Sequence, residues 1–99
     1  MALQTRVTLR AASQIEKADS WWLGNRPSAP NALRNDLAAA LDLLVRHPNV
    51  GTEVASTKVV GVRRLHLGRI RYHIYYRVKE SELVVLAFWH SSRGSSPVL

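Results

Sequence analysis

Between Gly61 and Arg93 the chain carries Arg64, His66, Arg69, Arg71, His73, Tyr75, Arg77, His90 and Arg93, most of them alternating with apolar residues. Guanidinium groups grip a phosphate through a bidentate fork. Imidazoles transfer protons near neutral pH. Together these groups suit cleavage of RNA without a metal. A base among His66, His73 and His90 would take the ribose 2′-hydroxyl proton, arginines such as Arg93 would hold the phosphorane charge, and a second imidazole would protonate the leaving oxygen. The same side chains serve equally as a surface that binds a polyanion and cuts nothing. The histidines alternate with arginines and lack a zinc-ligand spacing, so no metal and no cofactor is expected.

The charge is unevenly placed. Residues 1–57 hold six Lys/Arg against five Asp/Glu, and residues 58–99 hold eight against two. The second part therefore carries +6 of the net +7. Such a bias suggests a polyanionic partner, whether nucleic acid, an acidic protein segment or anionic lipid, the alternative being a soluble surface that is merely basic. Ninety-nine residues fit one domain, residues 1–99, with a modest core. The absence of cysteine removes disulfides, thiolate metal sites and a Cys nucleophile, and is compatible with a reducing cytoplasm. The longest apolar run, Leu83–Trp89, is too short for a bilayer, and no signal peptide is expected in MALQTRVTLRAAS.

Periodicity supplies the elements that must position the basic groups. Leu3, Thr5, Val7 and Leu9 alternate with Gln4, Arg6, Thr8 and Arg10, which predicts a short half-buried strand. Ala11, Ile15, Ala18 and Trp22 then recur as one face of a helix running to about Leu23, with Gly24-Asn25 as its stop. Trp21 sits about 100° from Trp22 around that helix. It is expected to be partly exposed, either packing or anchoring a partner. After the turn Arg26–Pro30, in which Ser28 can cap, Leu33, Leu37, Leu41 and Leu44 mark a second helix that ends before His47-Pro48. Thr52–Lys58 reads as an irregular connection. Three strands follow: Val62–Leu67, then a run bearing Ile70, Tyr72, Ile74, Tyr76 and Val78 on one face, then Leu83–Trp89. The tail to Leu99 reads as loose.

The expected fold is α+β in the order β-α-α-β-β-β, a helical hairpin packed on one face of a small, mainly antiparallel sheet. Helices should cover the Tyr72/Tyr76 face. Arg64, His66, Arg69, Arg71, His73, Tyr75 and Arg77 should share the other, because unpaired charges under the helices would cost several kcal/mol each, roughly.

The element order, Pro48-x-x-Gly51, GVRRL at Gly61–Leu65, YHIYYRV at Tyr72–Val78 and VVLAFWHSSR at Val84–Arg93 together resemble the RelE/ParE toxins of bacterial type II toxin–antitoxin systems. The resemblance covers nearly the whole chain, and His90-x-x-Arg93 with the Y-x-x-Y-R-V strand favours the ParE branch. It implies a small cytoplasmic toxin neutralised by a cognate antitoxin, ParD-like or other. ParE-like members are associated with inhibition of DNA gyrase. RelE-like members cut ribosome-bound mRNA, and a third reading is a homologue that only binds antitoxin. The family's basic positions fall here on Arg64, His66, His73 and Arg93. The tail Ser96–Leu99 lacks the tyrosine-type group that several of the ribonucleases use.

Overall fold

Thr8 is where the chain changes from strand to helix. Its hydroxyl accepts the Ala11 amide, so it caps the helix that follows. The computed structural model describes residues 2–55 and 58–99. Strand β1 (Gln4–Val7) precedes helix α1 (Leu9–Asn25), and helix α2 (Ala32–Arg46) leads through a 3-10 turn at Pro48–Val50 into β2 (Thr52–Glu53). Strands β3 (Arg63–Leu67), β4 (Tyr72–Lys79) and β5 (Glu82–His90) complete the chain. The sheet order is β1-β5-β4-β3-β2, with β1 parallel to β5 and the other pairs antiparallel.

The expected α+β architecture is the observed one, with local corrections. The four residues of β1 are all exposed, and it is Leu3, just before them, that packs on the core. An edge strand has one neighbour and no helix need cover it. Helix α2 begins at Ala32 with Asn31 as its N-cap, so Ser28 does not cap it. Pro30 lies in the connection, where the Ala29 carbonyl accepts both the Ala32 amide and the Trp22 indole N–H, at 2.7 Å for the indole. Thr52–Glu53 is a strand and not part of an irregular connection; two residues are too few to show an alternation in the sequence. Ser56 and Thr57, which belong to the same expected connection, lie outside the described residues.

The core lies between helices and sheet. Ala11, Ile15, Ala18 and Trp22 of α1 meet Leu33, Leu37, Ala40 and Leu44 of α2, above Tyr72, Ile74, Tyr76, Leu83, Val85 and Phe88. Each buried Leu- or Phe-sized side chain contributes roughly 1.5–3 kcal/mol. Val85 and Phe88 are three apart, yet both face the helices. A bulge allows this: Tyr75 pairs with Ala87 and Tyr76 with Val85, so Leu86 is the extra residue. At that irregularity the Gln14 side-chain carbonyl accepts the Phe88 amide at 2.8 Å.

The second face of the sheet is partly covered. Val62, Tyr75 and Ala87 form a small buried cluster, against which Val54, Val59, Leu86, Trp89 and Leu99 pack. The tail is therefore laid across the sheet and is not loose. Pro97 is buried, the Ser95 carbonyl accepts the Trp89 indole N–H at 2.7 Å, and the Val98 carbonyl accepts from Arg10 at 2.6 Å. No helix among the described residues is long and apolar enough to cross a membrane.

Candidate functional site

The register of β3 on β4 sets Arg64 opposite Tyr75 and His66 opposite His73. Next along the same row, β5 places Trp89 opposite His73. His66, His73 and Trp89 thus cross three strands on the face away from the helices. The two imidazoles meet through their Nδ1 atoms, 3.3 Å apart, with ring centroids separated by 4.8 Å. The His73 pKa is held below its usual value, first by burial and then by the nearby Arg64 and His66 charges. A neutral imidazole is the form that can accept a proton.

Arg93 arrives from the loop after β5 and stacks its guanidinium over the Trp89 ring at 4.0 Å. Arg64, His73, His90 and Arg93 line a cleft of about 150 Å³, together with Tyr75, Trp89, Ser91 and the chain from Gly94 to Ser96. The first four are the basic residues the structure brings together from the sequence reading. His66 lies beside them through its contact with His73. His90 comes from the edge: it pairs with Tyr72, which faces the helices, and their rings meet edge-on at 5.0 Å. Its Nδ1 is bonded to the Ser92 amide at 3.1 Å and to the Ser92 hydroxyl.

Two expected members of the face are elsewhere, and a third is covered. Arg69 lies in the turn before β4 and pairs with Asp36 of α2, its Nε 2.9 Å from a carboxylate oxygen. It thereby tethers the hairpin to the helical layer. Arg71 ends that turn with φ of 64°, a left-handed conformation uncommon outside glycine, and its carbonyl accepts the Ser91 amide. Four residues, Gly68–Arg71, are given to this reversal, so β4 starts at Tyr72 and the alternation expected from Arg69 onward begins late. Tyr75 does point to the second face but is only 4% exposed, packed against Leu99 of the tail, and reaches the surface only as part of the cleft wall. Arg77 remains on the face, farther along β4, within 3.5 Å of the Val60 carbonyl.

Among the described residues five arginines are paired with carboxylates: Arg6, Arg34, Arg46, Arg63 and Arg69. Arg64, Arg77 and Arg93 have no carboxylate partner among the described residues, which leaves the second face cationic.

A neighbouring cleft of about 410 Å³ opens on the helical side, between α1 and the end of β5. Trp21, Tyr72, Phe88 and Trp89 supply its aromatic walls, and Gln14, Lys17, His90 and Arg93 its polar rim. Trp21 is 46% exposed and carries the Arg26 guanidinium 5.4 Å from its ring. Lys17, Gln14 and Trp89 escaped the sequence reading as site residues. Lys17 and Gln14 sit on a helix read only for its apolar stripe. Trp89 closed a run of unbroken apolar residues that hides which face each one takes.

The family model for the ParE toxin of type II toxin–antitoxin systems, parDE, matches residues 5–94. A search of the curated proteins gives no match. Among solved structures, the chain is similar to one from the chromosomal ParDE toxin–antitoxin system of P. aeruginosa, with a TM-score of 0.73 and 23% identity over 90% of this chain and 96% of the other. It is also similar to a chain of the toxin–antitoxin complex RelBE2 from Mycobacterium tuberculosis, with a TM-score of 0.58 and 21% identity over 91% of this chain and 99% of that one. At those identities the structural likeness speaks for the fold, and the family rests on the sequence match. The chain belongs to the ParE toxins of type II toxin–antitoxin systems.

Proposed function

We propose that this toxin acts by binding DNA gyrase, in the cytoplasm, and that a cognate antitoxin neutralises it by covering its basic face. Family membership supports the toxin class. The observation that carries the choice of target is the tail. Residues 94–96 form part of the wall of the cleft that holds Arg64, His73 and Arg93, a cleft of about 150 Å³. That is well below the roughly 300 Å³ at which small-molecule pockets begin. The cleft is smaller than a substrate pocket, which supports a contact surface over a catalytic pocket.

Two further features favour binding over cleavage. His66 and His73 are turned toward each other, and Arg93 is stacked on Trp89. The antitoxin reading rests on charge and shape. Acidic antitoxin residues would meet Arg64, Arg77 and Arg93, and an apolar or aromatic anchor would enter the cleft beside Trp21.

A specific observation also favours a ribonuclease as the second reading. Arg64, His73 and Arg93 converge, and His73 is kept neutral, as a general base requires. Purified toxin assayed on gyrase supercoiling and on ribosome-bound mRNA separates the two. Loss of supercoiling with intact mRNA supports gyrase binding, and mRNA cutting abolished by His73→Ala or Arg93→Ala supports the second reading. If neither activity appears while the antitoxin still binds, the chain is an antitoxin-binding homologue only.

A further inference from the structure

The His66–His73 pair has a geometry that its sequence spacing conceals. The two residues are seven apart in the chain, and a strand–turn–strand path brings them face to face. Their Nδ1 atoms point at each other at 3.3 Å. That is long for a hydrogen bond from nitrogen, which falls at about 2.7–3.2 Å. It matches the edge of a tetrahedral metal site: bonds of about 2.0–2.1 Å from imidazole nitrogen to metal put two ligand nitrogens about 3.3–3.4 Å apart. The backbone supports this spacing rigidly, because the two residues are direct partners in the sheet ladder. The pair is also accessible, with His66 exposed and His73 half-buried.

We propose that His66 and His73 form a two-imidazole site for a borderline divalent cation, Cu²⁺, Ni²⁺ or Zn²⁺, bound through both Nδ1 atoms. Imidazole ligands select this group over Mg²⁺ and Ca²⁺, which take oxygen. Each ring would carry its proton on Nε2. Among the described residues no group of three or more His, Cys, Asp or Glu comes together. Water or a carboxylate from a bound partner therefore fills the remaining positions. Arg64 lies close enough to His73 to act on its charge, and it lowers the affinity of any cation there. The site is accordingly a modest one, and Cu²⁺ should bind it best.

The test is titration of CuCl₂ into the untagged full-length chain, followed by calorimetry and by copper electron paramagnetic resonance. The expected result is saturable binding of about one equivalent, with nitrogen hyperfine coupling, and Ni²⁺ and Zn²⁺ binding more weakly. His66→Gln and His73→Gln should each lower affinity about tenfold or more, and the control His47→Gln, at the exposed end of α2, should not. Circular dichroism checks that each variant is folded, and His66→Gln, at the exposed partner, keeps the test open if His73→Gln is not. No saturable binding overturns the proposal. So does binding that survives both substitutions, or that depends on only one of the two histidines. The readout is independent of gyrase, so it stands or falls apart from the proposed target.

Discussion

Gly51 donates its amide to the Tyr76 hydroxyl at 3.0 Å, and that hydroxyl donates onward to the Pro48 carbonyl at 2.7 Å. One fully buried phenol thus ties the 3-10 turn to the centre of β4. Burial pushes the Tyr76 pKa up, so the group stays protonated and can make both bonds. A Cβ at Gly51 would collide with the Tyr76 hydroxyl, which explains the glycine in Pro48-x-x-Gly51. Tyr76→Phe should cost about 1–3 kcal/mol by leaving both backbone groups unpaired. Gly51→Ala should cost at least as much through displacement of the ring. Urea unfolding monitored by tryptophan fluorescence checks both.

The tail should contribute to stability although it forms no regular structure. Leu99 packs on the small cluster around Tyr75, and Pro97 is buried. Removing residues 95–99 exposes Tyr75 and Ala87 and breaks the bonds from Trp89 and Arg10. The expected loss is about 1–3 kcal/mol, with a matching fall in thermal midpoint. An unchanged midpoint would show that the tail does not hold that face.

Acid should weaken the fold through His73. Its pKa in the folded chain lies below the 6.5 of a free histidine. The unfolded chain therefore binds a proton more readily than the folded one in the window just below pH 6.5. Stability is full above that window and falls as the pH drops through it toward the folded pKa. His73→Gln should flatten this part of the profile. Denaturation midpoints measured across that pH range in both proteins test the sign.

The cationic face should govern antitoxin binding. Replacing Arg64 and Arg77 together with alanine should weaken the toxin–antitoxin complex and make its affinity less sensitive to salt, because neither arginine has a carboxylate partner among the described residues. The reverse control, Arg34→Ala, removes an arginine already paired with Asp19 and should leave the salt dependence as it was. Equal affinity and equal salt slope for the double variant would remove the basic face from the antitoxin contact.

The fold was legible where periodicity was long. The stripes of α1 and α2 and the alternation of Tyr72, Ile74 and Tyr76 placed the helices on the correct face of the sheet. What stayed hidden is local and physical. In β5 every residue from Leu83 to Trp89 is apolar, so nothing marks Leu86 as the bulge that changes the phase. Arg69 reads as a strand residue until Asp36 of α2, 33 residues earlier, is seen to hold it. Tyr75 reads as exposed because the sequence cannot show that Pro97 and Leu99 return to cover it. Of the candidate site, Arg64, His66, His73 and Arg93 were legible, and the cleft beside Trp21 was not, since it joins one face of α1 to the far end of β5.

Gyrase supercoiling in the presence of the purified toxin tests the central claim most directly. Relaxed plasmid, gyrase and ATP are incubated with increasing toxin, then with toxin pre-mixed with its antitoxin. Supercoiling should fall with toxin and be restored by antitoxin, while ribosome-bound mRNA in a parallel reaction stays intact. Undiminished supercoiling alongside His73-dependent cutting of that mRNA would contradict it.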